Sequence, residues 1–397
     1  MARLGFESFV VEGSPSALDR RALPFELLTI APLGLPAMNS GDGVPSDRGA
    51  RKTASMLARR AFWTSLKRLA QTVSRSLPLA IHAAGLGANT LALARRVPRA
   101  SLYYLHSPYQ FPAVYLLSRR HGAPFVYDAH DFYEDTAREA SRRSIQDRLL
   151  RKLDRAIEDR CVAAAEVIVT VSDGVGRLYG ESFGRSAVIV RNAHDLRLDT
   201  PSVADVRTAA GIPADDFVVV VVGNAKREMA IKACVGAVEL LPSRYHFVFV
   251  GRNYGLLRSL HARARRVHFI DAVPPTTVKS FIRSADAAAV PYLALHSSLL
   301  NALPNGFFHA VAAGLPLIYP PLPEVRGLAE EYGLGVCVDV ATPASIAAGV
   351  RALAEDSKLL SECRHNARRA ALELTWEQEE RTLAEVLSAA LGTGTEH

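Results

Sequence analysis

Cysteine is scarce in this chain: there are four in 397 residues, at Cys161, Cys234, Cys337 and Cys363, far apart and with no CxxC pair. That usage excludes a zinc ribbon or a disulfide framework and fits a reducing cytoplasm. Long apolar runs are lacking too, so no spanning helix is expected. The opening MARLGFESFVVEG has none of the charged, then apolar, then small-residue order of a secretory signal. Internal repeats and low-complexity tracts are absent. No nucleic-acid-binding motif is found, which sets nucleic acid aside as a partner despite a net charge of +7. Acid is missing locally as well. From Arg48 to Arg75 there are eight basic residues (Arg48, Arg51, Lys52, Arg59, Arg60, Lys67, Arg68, Arg75) and no Asp or Glu.

The rest of the composition is globular: 49% apolar and 22% charged residues, over a length that suits two domains of roughly 150–200 residues. The positive balance points to anionic partners such as nucleotide phosphates or an anionic membrane. In the basic segment Phe62, Leu66, Leu69 and Val73 share one helix face, with Arg60, Lys67, Arg68 and Arg75 opposite. Two readings stay open there: a solvated surface helix, or a contact with a membrane surface or acidic acceptor.

Short apolar strands alternate with helical stretches along the chain. The strands are expected at Phe9–Val11, Leu27–Ile30, Leu102–Leu105, Phe125–Tyr127, Val167–Val171 and Ala187–Val190. They resume at Phe217–Val222, His246–Val250, Val267–Ile270, Ala287–Pro291, Leu317–Tyr319 and Gly335–Val338. Continuous apolar runs such as FVVVVV are the mark of parallel strands buried on both faces. The alternation predicts doubly wound α/β structure, built twice. The polar, proline-containing Asp195–Asp216 reads as the linker. Trp376 to about Leu391 reads as an amphipathic helix, with a frayed tail after it.

Four segments carry candidate chemistry. In VVVVVGNAKRE a buried strand ends at Gly223, where backbone amides can approach an anion, and Lys226 and Arg227 come next; solvated cations after a plain strand–helix turn are the alternative. In NALPNGFFHAVAAGLPLIYP a Pro-Asn-Gly turn opens a small-residue helix whose N-terminus attracts phosphate, with Asn305 as cap; His309 is either a satisfied core group or a site residue. In FVYDAHDFYED a strand runs into Asp128, His130, Asp131, Glu134 and Asp135, a polar ligand or proton-transfer cluster without a recognised metal-ligand spacing, or else a loop and cap. In VIVTVSDGVGRLYG a strand leads to a helix capped by Ser172 or Asp173.

Taken in order and spacing, VYDAHDFYED, VIVTVSDG, VIVRNAHD, VVVGNAKRE, FVFVG, VHFIDAVP, SADAAAVPY, ALPNGFFHAVAAGLPLI and LTWEQEE resemble the group 1 retaining glycosyltransferases of the GT-B fold, from about Gly5 to Leu391. The resemblance implies two Rossmann-like, doubly wound parallel-sheet domains. An acceptor-side domain would span 1–195, with helix 377–397 packing back on it, and a nucleotide-sugar-binding domain would span 196–376. It implies sugar transfer from a nucleotide-sugar donor to an acceptor hydroxyl, with retention and without a metal or other cofactor. His130, Lys226 and Arg227 would then be catalytic. Gly223, Asn224, Gly251, Arg252, Asn301, Asn305, Gly306 and His309 would hold the donor. His106, Asp131 and Glu134 would face the acceptor, lipid-linked or small. The protein would be cytoplasmic, with 48–75 as a peripheral contact to the inner face of the membrane.

The chain departs from the family pattern in three places. Gly306 stands where the family usually has Lys, and His309 where it has Glu. The acidic partner eight residues earlier is Asn301. In addition LGFESFVVEG resembles a helix end and second strand, elements that come after the family's first strand and Gly-rich loop. Either the start is truncated or another segment fills that first strand's place. These departures keep two alternatives in view: a catalytically degenerate partner or binding protein, and a nucleotide-sugar epimerase.

Overall fold

A computed structural model of the chain describes residues 9–12, 26–29, 87, 90–132, 145–260 and 265–392. The basic segment 48–75, Glu134 and the end of the tail lie outside them. Each apolar run expected as a strand forms one. The chain divides into two compact units, Met1–Asp128 with Ala137–Val167 and Ala390–His397, and Ala129–Thr136 with Ile168–Ala389. Among the described residues no helix is long and apolar enough to cross a membrane.

Near the start of the chain β1 (Phe9–Glu12) and β2 (Glu26–Thr29) form a parallel pair of their own, Phe9 opposite Glu26. β3 (Tyr103–Leu105) and β4 (Phe125–Ala129) pair in parallel, Tyr103 opposite Phe125, joined by helix α1 (Phe111–His121). α1 buries Phe111, Ala113 and Leu117, and stops at Gly122, whose φ of 66° suits glycine. Its last residue, His121, meets the Tyr103 hydroxyl at 2.6 Å through Nδ1. α2 (Ile145–Ala164) comes next. The sheet order β3-β4-β5-β6 is that of the chain, β5 being Val167–Thr170 and β6 Val188–Ile189, with α3 (Asp173–Phe183) between them.

The second unit holds a six-stranded parallel sheet. Its elements in chain order are α4 (Val206–Ala210), β7 (Phe217–Val222), α5 (Ile231–Glu239), β8 (Tyr245–Val250), α6 (Gly255–Leu260), β9 (Val267–Ile270), α7 (Val278–Ile282), β10 (Ala287–Ala289), α8 (Ser297–Leu300), α9 (Asn305–Ala312), β11 (Leu317–Tyr319), α10 (Pro323–Glu331), β12 (Gly335–Cys337), α11 (Pro343–Glu355), α12 (Ser357–Glu373) and α13 (Trp376–Ala390). The strand order is β12-β11-β10-β7-β8-β9. β7, the FVVVVV run, sits centrally and serves two cores by simple alternation. Val218 and Val220 join the layer of Phe281, Phe307 and Ala367 on one face. Val219 and Val221 join that of Cys234, Phe247 and Val350 on the other. From β7 the chain winds outward through β8 and β9, then crosses back to β10 on β7's other side. That reversal is the topological switch point, where the carboxyl ends of the strands leave a crevice.

The segment read as a linker is tied into this sheet. Asp205 caps α4 by accepting the Thr208 N–H at 2.9 Å, and Gly211 ends the helix at φ 65°. Arg207 donates to the carbonyls of Ser284 and Asp216 at 2.7 Å each. In α13, Leu383, Val386, Leu387 and Ala390 are buried at helical spacing, as the amphipathic reading requires. All four cysteines are free thiols.

Two histidines lie within the sheet. Asp216 takes the His246 Nε2 at 2.9 Å, and His246 Nδ1 lies 3.1 Å from His268 Nε2. A carboxylate only accepts, so His246 donates to Asp216 through Nε2. Burial, then the neighbouring His246, pushes the His268 pKa down from 6.5 to about 4. The unfolded chain therefore takes up a proton below pH 6.5 that the folded chain refuses until about pH 4, and stability falls through that window as pH drops. Urea unfolding at pH 7 and pH 5 should show it. His268→Gln keeps a donor and should remove on the order of 1 kcal/mol of the difference. An unchanged pH slope in the variant would contradict this reading.

Candidate active site

The carboxyl edge of the six-stranded sheet is built by close backbone contact. β7 ends at Gly223, whose φ of 153° is a conformation L side chains rarely adopt. β8 ends at Gly251, and a Cβ there would fall 2.0 Å from the Gly223 carbonyl oxygen. The loops after the two strands are then stitched together. Ala225 donates its N–H to the Arg252 carbonyl at 2.8 Å, Asn224 Oδ1 accepts the Arg252 N–H at 2.9 Å, and the Tyr254 hydroxyl donates to the Gly223 carbonyl at 2.8 Å. Burial pushes the Tyr254 pKa well above its ordinary value, so that hydroxyl keeps its proton. Beyond Asn224 the loop is anchored to the chain after β10: Ala230 donates to the Pro291 carbonyl at 2.7 Å and Leu293 to that of Glu228 at 2.8 Å. Lys226 and Arg227 project from this loop, exposed, and neither forms an ion pair among the described residues.

The start of α9 closes the third side. A Cβ on Gly306 would lie 2.5 Å from the Val222 carbonyl oxygen, so the first turn of the helix rests on the last residue of β7. The cap position belongs to Pro304, in extended conformation (φ −66°, ψ 141°), and Asn305 is the first helical residue instead of the expected cap. Proline has no side-chain acceptor, so no side chain caps this helix start.

His309, one turn into α9, ends a chain of hydrogen bonds. Lys279 Nζ lies 2.6 Å from Asp199 Oδ2, and Asp199 Oδ1 lies 2.6 Å from His194 Nε2. His194 Nδ1 lies 3.1 Å from His309 Nδ1, with the rings 79° apart. Asp199 only accepts, so His194 donates to it through Nε2. With His194 neutral, His309 donates through Nδ1 and its Nε2 is an acceptor; with His194 charged, the two roles at His309 reverse. Burial, then His194, pushes the His309 pKa down to about 4, so the ring is neutral near pH 7. Sequence reasoning does not find His194, Asp199 and Lys279. Their spacings, five residues and then eighty, match no local motif.

Asn301 spends its polar atoms on the chain. Its Nδ2 donates to the Ser297 carbonyl at 2.8 Å, and its own carbonyl accepts the Ser172 hydroxyl at 2.6 Å. Ser172, not Asp173, caps α3, accepting the Val175 N–H at 3.2 Å; Asp173 meets Arg191 at 3.1 Å. His130 and Asp131 lead into Phe132, whose N–H bonds the Ser298 hydroxyl at 3.1 Å. In the first unit His106 Nδ1 lies 3.1 Å from the buried carboxylate of Asp128, while burial and Asp128 together raise the Tyr104 pKa. The structure thus gathers Gly223, Asn224, Gly251, Arg252 and Gly306 into one contiguous edge with Lys226 and Arg227 on its loop.

Such an edge, at the switch point of a parallel sheet and with free cations beside an uncapped helix start, has the geometry in which α/β proteins commonly bind anions. Comparison with known proteins gives the family and the fold. Residues 203–370 match the model for glycosyl transferases group 1, and residues 11–194 match that for a glycosyl transferase 4-like domain. The chain belongs to the group 1 glycosyltransferases and is an enzyme of the GT-B fold. No curated protein matches it. Among solved structures it is similar to HepE of Anabaena in complex with UDP (17% identity, TM-score 0.61, covering 77% of this chain and 82% of that one). It is also similar to the same protein with UDP-glucose (18%, 0.60, 79% and 84%) and to sucrose-phosphate synthase of Thermosynechococcus elongatus (16%, 0.63, 80% and 81%). At these identities the likeness is one of fold.

The packing makes a direct prediction at position 306. Gly306→Ala should destabilise the protein by on the order of 1–3 kcal/mol in urea unfolding, because backbone must move. Gly180→Ala, where an added Cβ has nothing within 4 Å, should be neutral or slightly stabilising. Equal effects at the two positions would contradict the close approach.

Proposed function

We propose that the enzyme transfers a sugar from a nucleotide-sugar donor to an acceptor hydroxyl, with retention at the anomeric carbon and without a metal. The observation that carries this is the carboxyl edge of β7, β8 and α9, with Lys226 and Arg227 free beside it. HepE in this fold holds UDP and UDP-glucose, which supports a nucleotide-sugar as donor. The bond from the anomeric carbon to the diphosphate breaks as the acceptor oxygen approaches on the same face. The acceptor's proton passes to the departing phosphate. The protein's share is position and charge: Lys226, Arg227 and the first amides of α9 stabilise the diphosphate as its charge grows. On this reading His130, which follows β4, serves the reacting sugar, and His106, Asp131 and Glu134 serve the acceptor.

A degenerate, non-catalytic reading draws on Gly306 and His309, and for each the geometry supports a working role. Gly306 lets α9 sit directly on β7, which brings its amides to the strand end without the family's lysine. With His194 neutral, His309 Nε2 accepts a ribose hydroxyl as a carboxylate does. Nucleoside diphosphate release across a panel of nucleotide-sugars tests the reading. One donor should turn over, and Arg227→Ala should weaken its binding by about 1.5–3 kcal/mol while Lys52→Ala leaves it within error. No binding or turnover with any donor, or equal effects of the two substitutions, would sink it.

A further inference from the structure

A second polar groove, of about 800 Å³, opens at the amino edge of the same six-stranded sheet, opposite the carboxyl edge that carries Lys226 and Arg227. It lies beside Asp286, which leads into β10, and Leu315, which precedes β11. Lys279 and Arg283 from α7 and Arg364 and Arg368 from α12 line it. Its two carboxylates are already satisfied. Asp286 binds Arg207, accepts the Val218 N–H at 2.9 Å and meets Arg364 at 3.0 Å; Asp199 holds Lys279 and His194 at 2.6 Å each. Arg283 and Arg368 are different: both are exposed, and neither guanidinium has an ion pair or hydrogen bond among the described residues. The aliphatic stem of Arg368 lies across Gly314, where a Cβ would come within 3.0 Å of it, so the side chain is held over the groove floor. Thr200 and Ser280 add hydroxyls to the rim.

We propose that this groove is a binding site for a small, soluble phosphate ester without an aromatic base. Guanidinium forks from two helices match phosphate oxygens in geometry as well as charge. The volume suits a molecule of sugar-phosphate size. The lining residues include no aromatic ring on which a base could stack. The concave shape favours a soluble ligand over a flat lipid surface. Arg283 and Arg368 take no part in the donor edge, although Lys279 and Asp199 also belong to the hydrogen-bond chain that ends at His309.

Calorimetric titration of inorganic pyrophosphate into the full chain at low salt tests this. The wild type should bind, more weakly as salt rises. Arg283→Ala with Arg368→Ala removes two side chains without partners, so the fold should stand, and added to Lys226→Ala with Arg227→Ala it should weaken the remaining binding on the order of tenfold or more. The double variant Lys226→Ala with Arg227→Ala should retain a salt-sensitive binding event. Pyrophosphate binding to the Lys226→Ala, Arg227→Ala variant that survives the further Arg283 and Arg368 substitutions, or is absent from that variant altogether, would overturn the proposal. So would binding to vesicles containing phosphatidic acid with none to soluble pyrophosphate.

Discussion

The structure at the donor edge depends on one constraint: backbone in contact with backbone where β7 ends. Gly251 lies against the Gly223 carbonyl and Gly306 against that of Val222, at separations that leave no room for a Cβ. These contacts bring together two strand ends and a helix start that are far apart in sequence. Once they are made, the loop hydrogen bonds among Asn224, Ala225, Arg252 and Tyr254 have little freedom left. Lys226 and Arg227 are then carried on a fixed turn instead of a loose one. A charged crevice of this kind is effective because it is organised before the ligand arrives.

Neutral histidine is the second recurring device. In both Asp216–His246–His268 and Asp199–His194–His309 a carboxylate accepts from a buried histidine, which lies 3.1 Å from the next ring. In both, burial pushes the outer histidine to a pKa of about 4. The first chain closes within the sheet. The second ends on α9 at His309, where the family pattern has a carboxylate. The substitution of His for Glu at 309 is thus matched by partners elsewhere in the chain.

The sheets are legible in the sequence because their signal is local. FVVVVV and YHFVFV are buried on both faces and read as nothing else, and glycine at 223 and 251 marks where such runs stop. The capping of α3 by Ser172 is legible for the same reason. The features that escape a sequence reading are non-local. Nothing in VRNAHDLRLD shows that His194 will meet a helix 115 residues later. The polar, proline-containing Asp195–Asp216 looks like any linker until Arg207 is seen clamped to Ser284 and Asp286. Asn305 looks like a cap because asparagine often is one, whereas the extended backbone of Pro304 takes that position and shifts the helix by one residue.

Hydrogen–deuterium exchange of the full chain, with and without UDP and in parallel GDP, measures the central claim most directly. Ligand-induced protection should fall on 223–228, 251–254 and 305–309, the three segments joined by the glycine contacts. Protection confined to other segments, with these three unchanged under a nucleotide that binds, would contradict the account.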